Sequence, residues 1–142
     1  MATRDDFEYW LFEMDDKLAL LMTHLPEEVS EKLDYSVGSL SVLEKWLLTS
    51  YRSVGDVMKE SEKKTLDQLS CYVGETIRKN LGGIWNIDQK DKKNAYFRIP
   101  VVQRKGIWTE CPVTMVTAAT DRRKGDYMEG IVKFMLESYK KP

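Results

Sequence analysis

With 142 residues, 42% of them hydrophobic and 32% charged, the chain has the size and composition of one domain with its own core, which excludes a disordered or low-complexity protein. No apolar run approaches the roughly 20 residues that span a bilayer, and Met1 to Glu8 lack the basic start and apolar centre of a signal peptide, so a cytoplasmic protein without membrane contact is expected. The net charge of −1 conceals a separation: residues 1–34 hold three basic and ten acidic residues, whereas residues 78–124 hold eleven basic and four acidic.

In chain order, a first helix is expected from about Asp5 to Leu25, with Thr3 as N-cap and Asp5, Asp6 and Glu8 at the positive end of the helix dipole. Phe7, Trp10, Leu11, Met14, Leu18, Leu21, Met22 and Leu25 form an apolar stripe at i, i+3, i+4 spacing and read as core. The opposite side of the wheel carries Asp5, Tyr9, Phe12, Glu13, Asp16 and Leu20, a mixture of acidic, aromatic and apolar groups. Either this helix packs on two sides within the domain, or Tyr9, Phe12 and Leu20 lie in a partner-binding patch.

Pro26 ends that helix and opens a short one as its first residue, running to about Leu33. Ser36 or Ser39 caps a third helix along Leu40, Leu43, Leu47 and Tyr51, with Trp46 and Leu48 widening the buried sector, and Arg52 to Gly55 reads as a turn. A longer helix covers about Lys59 to Leu81, buried along Leu66, Leu69, Val73 and Ile77. Gly74 interrupts it at a cost of roughly 1 kcal/mol relative to alanine, which close approach of another element would offset. Glu75 reads as a surface residue, with Arg78 or a backbone amide as alternative partners.

Gly82 suits the left-handed residue after the helix, and Gly83 frees the chain to turn into an extended segment. Ile84 to Asp88, the polar Gln89 to Asn94 and Ala95 to Val102 predict a hairpin with a long loop, with Trp85 and Ile87 on one face and Phe97, Ile99 and Val101 on another. Pro100 places the second strand at an edge or on a bulge. A turn at Arg104 and Lys105 leads to a third strand over Gly106 to Glu110. Val113 to Thr120 suits a strand by its β-branched content, but proline at a first helical position ahead of Met115, Ala118 and Ala119 favours a short helix. Asp126 with Glu129 makes a capping-box variant for a last helix with Met128, Ile131, Val132, Met135 and Tyr139 inward, reaching near Lys140. The fold class is therefore α+β: N-terminal helices, a long central helix leading into an antiparallel sheet of about three strands, and a C-terminal helix.

The chemistry is mostly exclusion. His24 is the only histidine, so multi-histidine metal centres are excluded and no metal or cofactor is expected. Cys71 and Cys111 lack CxxC spacing and read as buried thiols. The Gly82-Gly83 pair follows a helix, whereas a phosphate-binding glycine loop follows a strand. Asp5-Asp6, Asp15-Asp16 and Glu27-Glu28 are adjacent pairs that point to different sides of a helix, which does not suit paired acid and base work. Nucleic acid is a competing partner, because Lys90, Lys92, Lys93, Arg98, Arg104 and Lys105 on the hairpin, with Tyr96 between them and Arg122 to Lys124 beyond, supply cations and a stacking platform. A pI near 5.9 argues against a dedicated nucleic-acid binder.

The segments Asp34-Tyr35-Ser36, Ser39-Leu40, Leu43-Glu44-Lys45-Trp46-Leu47, Tyr72-Val73-Gly74-Glu75 and Gly82-Gly83-Ile84-Trp85 together resemble small uncharacterised bacterial α+β domains, including immunity-like proteins found beside polymorphic toxins. The resemblance covers roughly residues 34–88 and implies a non-enzymatic, intracellular protein that neutralises another protein by occlusion. An acidic helix bearing Tyr9 and Phe12 suits a basic toxin as that partner.

Overall fold

The computed structural model describes Met1 and residues 3–139. Its elements are α1 (Arg4–Phe12), α2 (Met14–His24), α3 (Glu27–Ser30), α4 (Ser39–Ser50), α5 (Val54–Val57), a 3₁₀ turn (Glu60–Glu62), α6 (Lys63–Leu81), β1 (Ile84–Asn86), β2 (Val101–Arg104), β3 (Trp108–Glu110), α7 (Pro112–Arg122) and α8 (Tyr127–Ser138). The α+β class and the sequence of helices, sheet and helices match the expectation. The C-terminal helix ends at Ser138, and Lys140 lies outside the described residues.

Helix α6 is the centre of the fold. Every residue from Leu69 to Ile77 is buried, Ser70, Glu75 and Thr76 included, because α2, α7, α8 and β2 pack around it. Gly74 permits a further contact: a Cβ at that position would overlap the Trp85 ring, so the missing side chain is the space into which β1 delivers its tryptophan. Gly82 then turns the chain at φ 81 and ψ −163, not in the expected left-handed helical region but in an extended one essentially confined to glycine.

The first expected helix is two helices. Glu13 has φ −83 and ψ −2, enough to break the ladder between α1 and α2, yet Phe7, Trp10, Met14, Leu18 and Leu21 stay buried across the joint. One residue leaving helical ψ does not disturb the spacing of the apolar stripe, so periodicity does not register the kink. Thr3 is the N-cap as expected and makes a full capping box, with Thr3 Oγ1 accepting from the Asp6 amide at 3.1 Å and Asp6 accepting from the Thr3 amide at 3.0 Å.

Other boundaries shift for local reasons. Pro26 is the N-cap of α3, not its first residue, and α3 stops at Ser30. Gly38 takes the N-cap position of α4, while Ser36 Oγ accepts from the Ser39 amide at 3.2 Å. The expected Arg52–Gly55 turn gives way to α5, capped by Ser53 Oγ on the Asp56 amide at 3.2 Å. Helix α6 begins at Lys63 because Glu60–Glu62 winds as a 3₁₀ turn. Pro112 does open a helix, so 113–120 is helical.

The sheet has the order β1-β2-β3, antiparallel throughout, with Ile84 opposite Gln103 and Arg104 opposite Trp108. The strand after Pro100 is thus central, not an edge; Pro100 lies just outside it, where no ladder amide is needed. Arg104 belongs to β2, and the turn begins at Lys105. The expected hairpin is present, β1 pairing with β2, but its loop spans residues 87–100 and takes in positions expected as strand on both sides of Gln89 to Asn94. Asp88 Oδ1 accepts from the amides of Lys90 and Asp91 at 2.9 and 3.1 Å, and Asn94 Oδ1 accepts from the Tyr96 amide at 2.9 Å, so side chains capture amides that a ladder would have used.

The Asp126 side chain makes no cap, which corrects the capping-box expectation. The α8 N-terminus is capped from a distance by Glu44 of α4, whose fully buried carboxylate accepts from the Tyr127 and Met128 amides at 2.9 Å each.

Candidate functional site

The predicted partner face lies on two helices. Asp5, Tyr9 and Phe12 stand on α1, Glu13 at the joint, and Asp16 and Leu20 on α2. Tyr9 is 62% exposed, Phe12 81% and Leu20 58%, so the domain does not cover these side chains. The Tyr9 and Phe12 rings stack at 6.5 Å, which sets a flat aromatic surface beside exposed Asp5 and Asp16, whereas Glu13 is half-buried. Residues 4–24 hold six acidic and two basic residues. Both cations are engaged: Arg4 pairs with Glu8 at 3.1 Å and Lys17 with Asp67 of α6 at 3.0 Å. Phe134 of α8, 65% exposed, is a further exposed aromatic that the inward stripe of α8 gave no reason to single out.

The basic set is divided by the fold. Lys90, Tyr96 and Lys105 line one polar hollow of about 760 Å³, together with Asn86, Asp88 and Gln103. Lys92 and Lys93 are exposed on the loop, and Arg104 sits half-buried on β2, one residue out of phase with the hollow-lining Gln103 and Lys105. Arg98, at φ 60, lays its guanidinium over the Phe97 ring at 4.8 Å and borders a different cleft. Arg123 is committed to structure: its guanidinium donates to the carbonyls of Leu48, Tyr51, Arg52 and Thr120 at 2.7 to 3.2 Å. Arg122 lies over the Tyr127 ring.

Glu75 is buried, contrary to the surface expectation. It receives both Arg78 Nε and Nη2, at 2.8 and 3.0 Å, and Trp85 Nε1 at 2.9 Å. Burial alone would raise its pKa, but the hydrogen bonds from Arg78 and Trp85 outweigh burial and hold the carboxyl below the ordinary glutamate value. A parallel arrangement stands eight residues earlier on α6, where Asp67 accepts from Trp10 Nε1 at 2.9 Å and pairs with Lys17. Two tryptophans from distant segments are thus pinned by carboxylates of one helix, and their rings meet edge to face at 5.0 Å.

Both cysteines are buried and unpaired, and burial pushes the Cys71 thiol up to about 12, so neither is placed as a nucleophile. His24 is exposed at the end of α2 with its ring edge-on to Trp46. Among the described residues no group of three or more His, Cys, Asp or Glu is placed to hold a metal, and no helix is long and apolar enough to cross a membrane.

Tyr35, Ser39, Tyr72, Gly74, Glu75 and Trp85 meet as packing joints. Tyr72 Oη accepts from the Tyr35 amide at 3.0 Å and lies 2.7 Å from Ser39 Oγ, while Trp85 fills the space at Gly74 and binds Glu75. No family model, curated protein or solved structure matches this chain.

Proposed function

We propose that the chain is a non-enzymatic protein-interaction module that binds a basic protein through the outer face of α1 and α2. The observation that supports this reading is the stacked, exposed Tyr9–Phe12 pair among acids whose neighbouring cations are already engaged. Aromatic side chains desolvate with little rotamer entropy to lose, and flanking carboxylates steer a partner of opposite charge. Occlusion of a basic toxin is the form of this activity that the resemblance to immunity-like domains implies. The test is affinity capture from the native cell with the wild-type chain and with a Tyr9→Ala/Phe12→Ala variant. A basic protein retained stoichiometrically by the wild type and released from the variant, at unchanged thermal stability, supports the reading; equal retention by both, or a partner that is not basic, refutes it.

The polar hollow favours a second reading, single-stranded nucleic acid, because Lys90, Lys105 and Tyr96 share it. Salt-sensitive retardation of single strands that Lys90→Gln/Lys105→Gln abolishes separates the two.

A further inference from the structure

A cleft of about 790 Å³ opens between α1, the N-terminal half of α6, β1 and the first turns of α7, and it shares no lining residue with the outer face of α1 and α2. Its walls are mainly apolar: Trp10, Trp85, Leu66, Ile99, Pro100 and Val113. The volume falls in the range of small-molecule sites, about 300 to 1,000 Å³. The two indoles are pre-organised, because each N–H is already bonded to a carboxylate of α6, at 2.9 Å in both cases, and leaves ring carbon as the surface it can offer. The absent side chain at Gly74 holds the Trp85 ring against the helix, so the wall is set by backbone as well as by hydrogen bonds.

The mouth has one sign of charge. Lys63, Lys64 and Arg98 border the cleft, and Asp67, the acid that lines it, is neutralised by Lys17 at 3.0 Å. Lys63 and Lys64 are exposed and make no ion pair with a described residue. An uncharged apolar ligand would leave that cationic rim unused, and a cation would be repelled by it. A molecule with an apolar body and one carboxylate satisfies walls and rim together.

We propose that this cleft binds a fatty-acid anion, its chain along Trp10 and Trp85 and its carboxylate at Lys63 and Lys64. The probe is myristate, compared with tetradecanol and tetradecylammonium, titrated below the micellar range and followed by tryptophan fluorescence and calorimetry. Myristate saturates one site and binds more tightly than the alcohol, and the ammonium binds weakest. Lys63→Gln/Lys64→Gln weakens myristate by about two- to thirtyfold, the range two exposed ion pairs carry, and leaves the alcohol unchanged. Thr117→Trp, which fills the cleft from the accessible side of α7, abolishes binding of both at unchanged circular dichroism. Absence of saturable myristate binding, equal affinity for the three head groups, or unchanged affinity in the double-glutamine variant would each overturn the assignment. The outer-face variant Tyr9→Ala/Phe12→Ala binds myristate like the wild type, so the two surfaces are tested separately.

Discussion

Glu44→Gln tests the interaction that joins α4 to the N-terminus of α8. The Glu44 carboxylate is fully buried and takes the first two amides of α8, each at 2.9 Å, across more than 80 residues of chain. Glutamine keeps the volume but offers one acceptor oxygen, so one amide stays bonded and the other meets an NH₂ group. Orphaning a buried donor costs about 1–3 kcal/mol. Removing a negative charge from a buried helix N-terminus costs up to about 2 kcal/mol. Relief of the desolvation of a buried carboxylate offsets part of this, which leaves an expected loss of about 2–4 kcal/mol. In urea unfolding followed by circular dichroism, the midpoint should fall with little change in slope. Asp126→Ala is the control: its side chain makes no cap, so it should stay within about 0.5 kcal/mol of the wild type. A Glu44→Gln loss under about 0.5 kcal/mol, or an Asp126→Ala loss of equal size, would show that the cap is local and refute the assignment.

Gly74→Ala should destabilise despite alanine's better helix propensity, because the new methyl displaces the Trp85 ring and breaks its bond to Glu75; a loss of about 2–4 kcal/mol with altered tryptophan fluorescence is expected, and a gain in stability would contradict the close approach. Glu75 has a depressed folded-state pKa, so its contribution to stability is complete above the ordinary glutamate value and is lost as pH falls through the folded one. The stability difference between wild type and Glu75→Gln, about 1–3 kcal/mol at pH 7, should therefore shrink between pH 5 and 3 in urea titrations; a constant or growing difference would refute the sign.

The apolar stripes of α1, α2, α4 and α8 were legible in the sequence because helical spacing is a local property of the chain. Phe7, Leu43, Leu69 and Met128 are buried where the pattern put them. The space at Gly74 was legible for the same kind of reason, since a glycine within a helix calls for a close neighbour, although only the tertiary structure identifies that neighbour as Trp85. Tyr9, Phe12 and Leu20 were legible as a second face, but only the structure shows that the domain leaves that face uncovered.

Charge was not legible in this way. Glu44, Glu75 and Asp67 look alike in sequence, as acids on helices, yet one caps a remote helix and the other two hold tryptophans from other segments. Asp126 looked like a cap and is not one. An acid's role depends on which donor comes within about 3 Å, and in a folded chain that donor belongs to whatever element packs alongside. Local spacing set the helical faces, a turn at Gly82 and a second, acidic and aromatic face on the first helix. That β2 is central and that Trp10 and Trp85 form the walls of one cleft follow from tertiary packing, because each depends on contacts between residues far apart in the chain.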